Sequence, residues 1–184
     1  MGWIAAAAGV AFGVALVMLM LFFRTKDARY DRVAEWSFVL FAVLAVPTIA
    51  TVAGRLSGDG IVVPLVTAAG IIGVVLMGLG ELGSTLKIVD FRRIAGVVTI
   101  GFLAFLLWIG AASILIVTGS GLAAGLGWLG LAAIVLGIAV VAWVSMTPGV
   151  ISGQREPGNR QMSAFIVPMV GIVAWLLWLG LSLG

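Results

Sequence analysis

Fifty-one consecutive residues, Ala95 to Ser145, carry no charge. A soluble domain keeps about 25% of its residues charged, because its surface has to meet water. A run of this length therefore has lipid for its solvent. It is also too long for one crossing, since a helix needs about 20 apolar residues to traverse the hydrocarbon core. Thr118-Gly119-Ser120-Gly121 supplies a break near its middle, and the stretch reads as two antiparallel helices joined by a tight turn.

The rest of the chain follows the same logic. Its 184 residues are 63% hydrophobic and 9% charged. Six apolar stretches stand out, running about Trp3–Phe23, Trp36–Ala53, Ile61–Gly80, Ala95–Val117, Leu122–Met146 and Met162–Leu183. Membrane β-barrels are built from alternating segments of about ten residues, whereas these runs are continuous and longer. The expected fold is all-α: one integral-membrane domain of six spans arranged as three hairpins, with no soluble domain. The first stretch lacks the basic n-region and the small-residue cleavage site of a signal peptide, so it is expected to be a span.

Loop charges set an expected orientation. The first, third and fifth connections hold nine basic residues, among them Arg24, Lys26, Arg29, Arg32, Lys87, Arg92 and Arg93; the second and fourth hold Arg55 alone. Short loops rich in Lys and Arg stay cytoplasmic, which puts both termini outside, with a prokaryotic cell membrane as the expected location. With five spans the split would fall to seven against three, so six fits better. Trp3, Trp128, Trp175 and Trp178 fall towards the outer ends and Trp36 and Trp143 towards the inner ends, depths that amphipathic aromatics favour. Trp108 alone falls near a midplane.

Small residues recur at helical spacing, as in Gly9-x-x-x-Gly13, Ala69-x-x-x-Gly73, Gly121-x-x-x-Gly125 and Ala133-x-x-x-Gly137. In lipid such positions let helices approach closely, and tight packing within the chain is their plainer reading. Two prolines, Pro47 and Pro168, are expected to kink their helices and to free the carbonyls of Val43 and Ala164. Tyr30-Asp31-Arg32-Val33-Ala34 and Phe91-Arg92-Arg93-Ile94-Ala95 lead into the second and fourth helices with similar residues. Convergence on an arginine at the helix start explains that likeness as readily as duplication does.

Chemistry is hard to find. The chain has no cysteine and no histidine, which removes thiolate chemistry, disulfides and the usual zinc and haem ligands. No catalytic, cofactor or metal residues are expected, and no cofactor. Gly78-x-Gly80-x-x-Gly83 imitates a dinucleotide fingerprint but ends an apolar helix instead of following a strand. Ionisable groups at depth usually mark a functional pathway, and none falls near a midplane. Glu81 comes closest, and with Pro47, Thr48 and Thr51 it forms the candidate pathway or gate. The plainer reading of Glu81, an interfacial charge paired with Lys87 or a first-loop arginine, is the stronger.

Arg24, Lys26, Arg29, Arg32, Arg92 and Arg93 are candidate contacts for lipid headgroups. Membrane lipids are the expected partners, along with other membrane subunits or further copies of this chain; nucleic acid is not. Three functions remain. The first is a non-enzymatic subunit or scaffold of a membrane complex. The second is a small channel or transporter for a neutral or weakly polar solute, and the third a lipid-active enzyme using Glu81, Asp90 and Arg92-Arg93. A polar cavity reaching past Pro47 would mark a transporter; a dry, close-packed bundle would mark a scaffold.

Overall fold

The computed structural model describes residues 1–58, 60–89, 91–119, 121–146 and 164–184, with the backbone alone for 91–93 and 144–145. Six α-helices account for nearly all of them: α1 (Gly2–Thr25), α2 (Ala28–Ala53), α3 (Val62–Thr85), α4 (Phe91–Gly119), α5 (Ala124–Ser145) and α6 (Ile166–Leu183). All six are long and apolar enough to cross a membrane. The protein is a six-span helical bundle. Its spans alternate in direction as three hairpins, so the connections after α1 and α3, with Lys26 and Lys87, share one end of the bundle.

Each helix packs on its neighbours in sequence, and α6 returns to pack on α1. The result is a closed ring of six helices. Among the described residues no two helices on opposite sides of it touch backbone to backbone, so side chains have to fill the middle. They do so with aromatic rings. Phe12 of α1 lies 4.8 Å from Phe41 of α2, which meets Phe105 of α4 edge-on at 5.3 Å. Phe105 stacks at 5.8 Å on Trp108, whose ring stands perpendicular to Trp175 of α6 at 5.6 Å. All five rings are almost wholly shielded. Edge-to-face and offset pairs of this kind contribute about 0.5–1.5 kcal/mol each beyond their area. That matters in lipid, where no hydrophobic force draws helix to helix.

Glycine sets the spacing of the wall. A Cβ on Gly101 of α4 would lie 2.6 Å from the Gly73 carbonyl oxygen of α3, and one on Gly73 would lie 2.7 Å from the Gly101 carbonyl oxygen. The two backbones are thus in direct contact, the geometry in which Cα–H groups face carbonyls. Gly180 meets α1 in the same way, a Cβ there standing 2.7 Å from the Ala6 nitrogen and 2.8 Å from the Gly2 carbonyl oxygen, while Gly9 and Gly13 pack on Leu176, Leu177 and Val173. The small-residue motif of α1 is therefore spent on closing the ring. Gly125 and Gly137 likewise face α6, through Trp178 and Pro168.

The two indoles of the core sit on glycines of the preceding helix: Trp108 on Gly70 of α3, Trp175 on Gly130 of α5. The likeness extends along both helices. Among the described residues the buried positions of α4 are Gly101, Phe105, Trp108, Ile109, Ala112, Ser113 and Ile116. Those of α6 are Pro168, Ile172, Trp175, Leu176, Leu179, Gly180 and Leu183, each displaced by 67 residues. A second likeness joins the first two hairpins. Their basic-end turns each contain a lysine in the left-handed region, Lys26 with φ 58° and Lys87 with φ 56°, four residues before Tyr30 and Phe91 respectively.

The helices depart from the apolar stretches in instructive places. α2 begins at Ala28, eight residues before the stretch that opens at Trp36. Asp27 caps it, its Oδ1 accepting from the Arg29 backbone N–H at 2.9 Å; a carboxylate at this position satisfies a donor that the helix leaves free. The polar start of α2 is therefore helix, not loop. α6 begins at Ile166, so Pro168 falls in its first turn, where the missing N–H has no intrahelical partner to lose. The helical run is interrupted at Phe165, between Ala164 and Ile166, beside the carbonyl that Pro168 was expected to free. Pro47 lies within α2, which continues through it. Gly119, with φ +142°, ends α4 where the sequence break was expected.

Trp175 corrects a second expectation. It lies at the middle of α6, 5.6 Å from Trp108, and is fully buried, whereas Trp3, Trp128, Trp143 and Trp36 are exposed.

Candidate functional site

Three polar features interrupt the apolar bundle. The first lies at the basic end, between α2 and α3. Asp31 and Glu35 are one turn apart on α2. The Ser84 hydroxyl of α3 donates to Glu35 Oε1 at 3.4 Å, with the Thr85 side chain beside it. Thr85 Oγ1 also donates to the Glu81 carbonyl oxygen at 2.7 Å. Glu81 is half-buried on the same side of α3, and the charges that bear on it are Glu35 and Asp31. The expected partners of Glu81, Lys87 or a first-loop arginine, are not among them. The side chains of Arg92 and Arg93, and Asp90 and Asp59 altogether, lie outside the described residues. Among the described residues no three acidic side chains come close enough to hold a metal ion.

The second feature is the candidate pathway on α2. Thr48 is buried and Thr51 half-buried. Their hydroxyls turn back on their own helix: Thr48 Oγ1 donates to the Leu44 carbonyl oxygen and Thr51 Oγ1 to that of Pro47, both at 2.8 Å. Such i−4 bonds satisfy a hydroxyl in an apolar medium without a partner helix. Thr48 and Thr51 thus stand beside Pro47, while Glu81 lies at the basic end. The structure does not bring these four residues together.

The third feature was not singled out from sequence. Ser113 Oγ of α4 is buried with no hydrogen-bond partner, and so are the Nε1 atoms of Trp108 and Trp175. Ser113 Oγ and Trp175 Nε1 both approach the place where a Cβ on Gly130 would stand, the latter at 2.7 Å. An orphaned buried polar group costs about 1–3 kcal/mol. Packing evidently outweighs that cost here, because the indoles fill the axis and Gly130 removes the side chain that would collide with them. Ser113 lies in the uncharged run, and one hydroxyl among apolar residues carries no signal of its own. Its spacing of five from Trp108 is the single cue.

The basic side chains differ in what they touch. Lys26 Nζ folds back over the rings of Phe22 and Phe23, 5.9 and 5.5 Å from their centroids. Arg29 and Arg32 lie instead along an open groove on α2, lined also by Val33, Trp36, Ser37 and Leu40. The other groove of note lies between α1 and α6 near the basic end, and its walls, among them Leu16, Met20, Met169 and Val173, are apolar.

No known protein family, characterised protein or solved structure matches the chain.

Proposed function

We propose that this protein is a non-enzymatic structural subunit of a membrane assembly, held with its basic end in the cytoplasm and both termini outside, in a prokaryotic cell membrane. One observation carries the reading: interlocked aromatic rings from α1, α2, α4 and α6 occupy the axis of the helix ring. A carrier for a neutral solute needs a route through the bundle. Here the route past Pro47 meets Phe41, which is wholly shielded, and the hydroxyls available to line it are engaged with their own helix. An enzyme at the basic end would need a carboxylate facing a pocket. Among the described residues Glu81 lines neither of the two grooves named above.

The partner on this reading is another membrane chain or a further copy of this one, seated in lipid against the outer faces of the ring. Purification in mild detergent, followed by mass measurement and reconstitution into vesicles, tests it. The expected result is an assembly heavier than one 19.0 kDa chain, and vesicles no more permeable to glycerol or urea than empty ones. A single chain that conducts either solute would overturn the proposal in favour of the channel or transporter.

A further inference from the structure

We infer that the groove on the polar start of α2 is a binding site for an anionic phospholipid, with the phosphate held by Arg29 and Arg32. The two arginines are three apart on a helix, hence neighbours on one face. With Val33, Trp36, Ser37 and Leu40 they line a shallow, open groove along α2 alone. The acidic residues of this segment are turned elsewhere. Asp27 is used in capping the helix, Asp31 bears on Glu35 and Glu81, and Glu35 faces Ser84 of α3. Among the described residues neither guanidinium makes a hydrogen bond or ion pair with a carboxylate, and Arg32 acts on Glu35 through its field alone.

The order of chemistry along the groove matches a phospholipid from head to tail. The arginine pair comes first, at the basic end, and a guanidinium fork fits phosphate oxygens two at a time. About one turn deeper, 5.4 Å along the axis, Trp36 and Ser37 bring an indole N–H and a hydroxyl to the level of the glycerol esters. Deeper still, Leu40 and Val43 are exposed to the extent of 52% and 64%, an apolar strip for an acyl chain. A free phosphate would use the arginines and leave that strip idle, so a lipid is the occupant that fits the whole groove. This placement needs the early start of α2 at Ala28. Were residues 28–35 a loop, the arginines and Trp36 would share no face.

The topology rule alone also demands arginines near this end, so the test has to separate a site from diffuse charge. Native mass spectrometry of the detergent-solubilised protein, offered phosphatidylglycerol or phosphatidylcholine, reads the bound lipid directly. Phosphatidylglycerol should be retained in preference. The double variant Arg29→Gln/Arg32→Gln should lose it by about thirtyfold, the worth of two basic contacts at a membrane surface. The charge-matched double variant Arg24→Gln/Lys26→Gln should leave retention nearly unchanged. If the neutral variant fails to insert, Arg29→Lys/Arg32→Lys keeps the charge and removes the fork, and it should still weaken binding measurably. Equal losses from both glutamine pairs would overturn the site, as would equal retention of the two lipids or full retention by the lysine variant. Displacement of the lipid by millimolar inorganic phosphate would show a free-anion site instead and overturn the lipid assignment.

Discussion

The contact between Gly73 and Gly101 makes a prediction whose sign depends on the packing. Alanine in place of glycine normally stabilises a helix by up to about 1 kcal/mol. At Gly101 the added methyl would stand 2.6 Å from the Gly73 carbonyl oxygen and 2.8 Å from the Met77 nitrogen. Both are backbone atoms, which cannot swing aside, so α3 and α4 must separate by several tenths of an ångström. The separation reaches along the whole seam and lifts Trp108 from Gly70, whose missing Cβ lies 2.8 Å from the indole Cδ1. Overpacking of this kind costs about 1–3 kcal/mol. After the helix gain is subtracted, Gly101→Ala should destabilise by about 1–2 kcal/mol. Gly96, five residues earlier on the same helix, has nothing within 4 Å of its would-be Cβ, so Gly96→Ala should be neutral or stabilising. Reversible unfolding in mixed micelles, followed by circular dichroism, measures both. If the two variants shift in the same direction by the same amount, the close seam between α3 and α4 is refuted.

Two further outcomes follow from the polar groups. Ser113→Ala removes an orphaned hydroxyl that costs about 1–3 kcal/mol, so it should raise stability in the same assay, contrary to the usual effect of a core substitution; a loss would mean that the hydroxyl has a partner. For the orientation, Thr25→Cys places a single thiol at the exposed last residue of α1 in a chain without cysteine. It should be shielded from an impermeant reagent added outside intact cells, and ready labelling there would invert the assignment.

Much of the architecture was legible because charge is so costly in lipid. The gaps between charges mark six crossings, and the glycine turn within the 51-residue run lies where α4 ends. The ring closure was less legible. Gly9-x-x-x-Gly13 announced a close contact but not its partner, since in an apolar medium any small-residue face serves for any neighbour. Trp108 gave itself away by its depth. Trp175 did not, because an apolar stretch that opens at Met162 moves it towards the outer end, whereas α6 runs Ile166–Leu183 and puts it mid-helix beside Trp108. Apolar spans also understate helices. Residues 28–35 are polar enough to read as loop, yet an N-cap at Asp27 carries them into α2. The groove that gathers Arg29, Arg32 and Trp36 was hidden for that reason, although each of the two arginines was already a candidate for lipid contact. Glu81 was found by sequence, but its acidic neighbours Glu35 and Asp31 come from another helix, and one chain position cannot reveal them.

The central claim is that the axis of the ring is dry and filled. The chain has no native cysteine, so single thiols can be read without background. Ser113→Cys and Ala45→Cys place them on α4 and α2 at positions that are at most 1% exposed, and a small water-soluble maleimide can be offered from both sides of vesicle-embedded protein. Neither thiol should react, while one at Thr25 reacts promptly. Comparable labelling of all three would mean that water reaches the core and would contradict a dry axis.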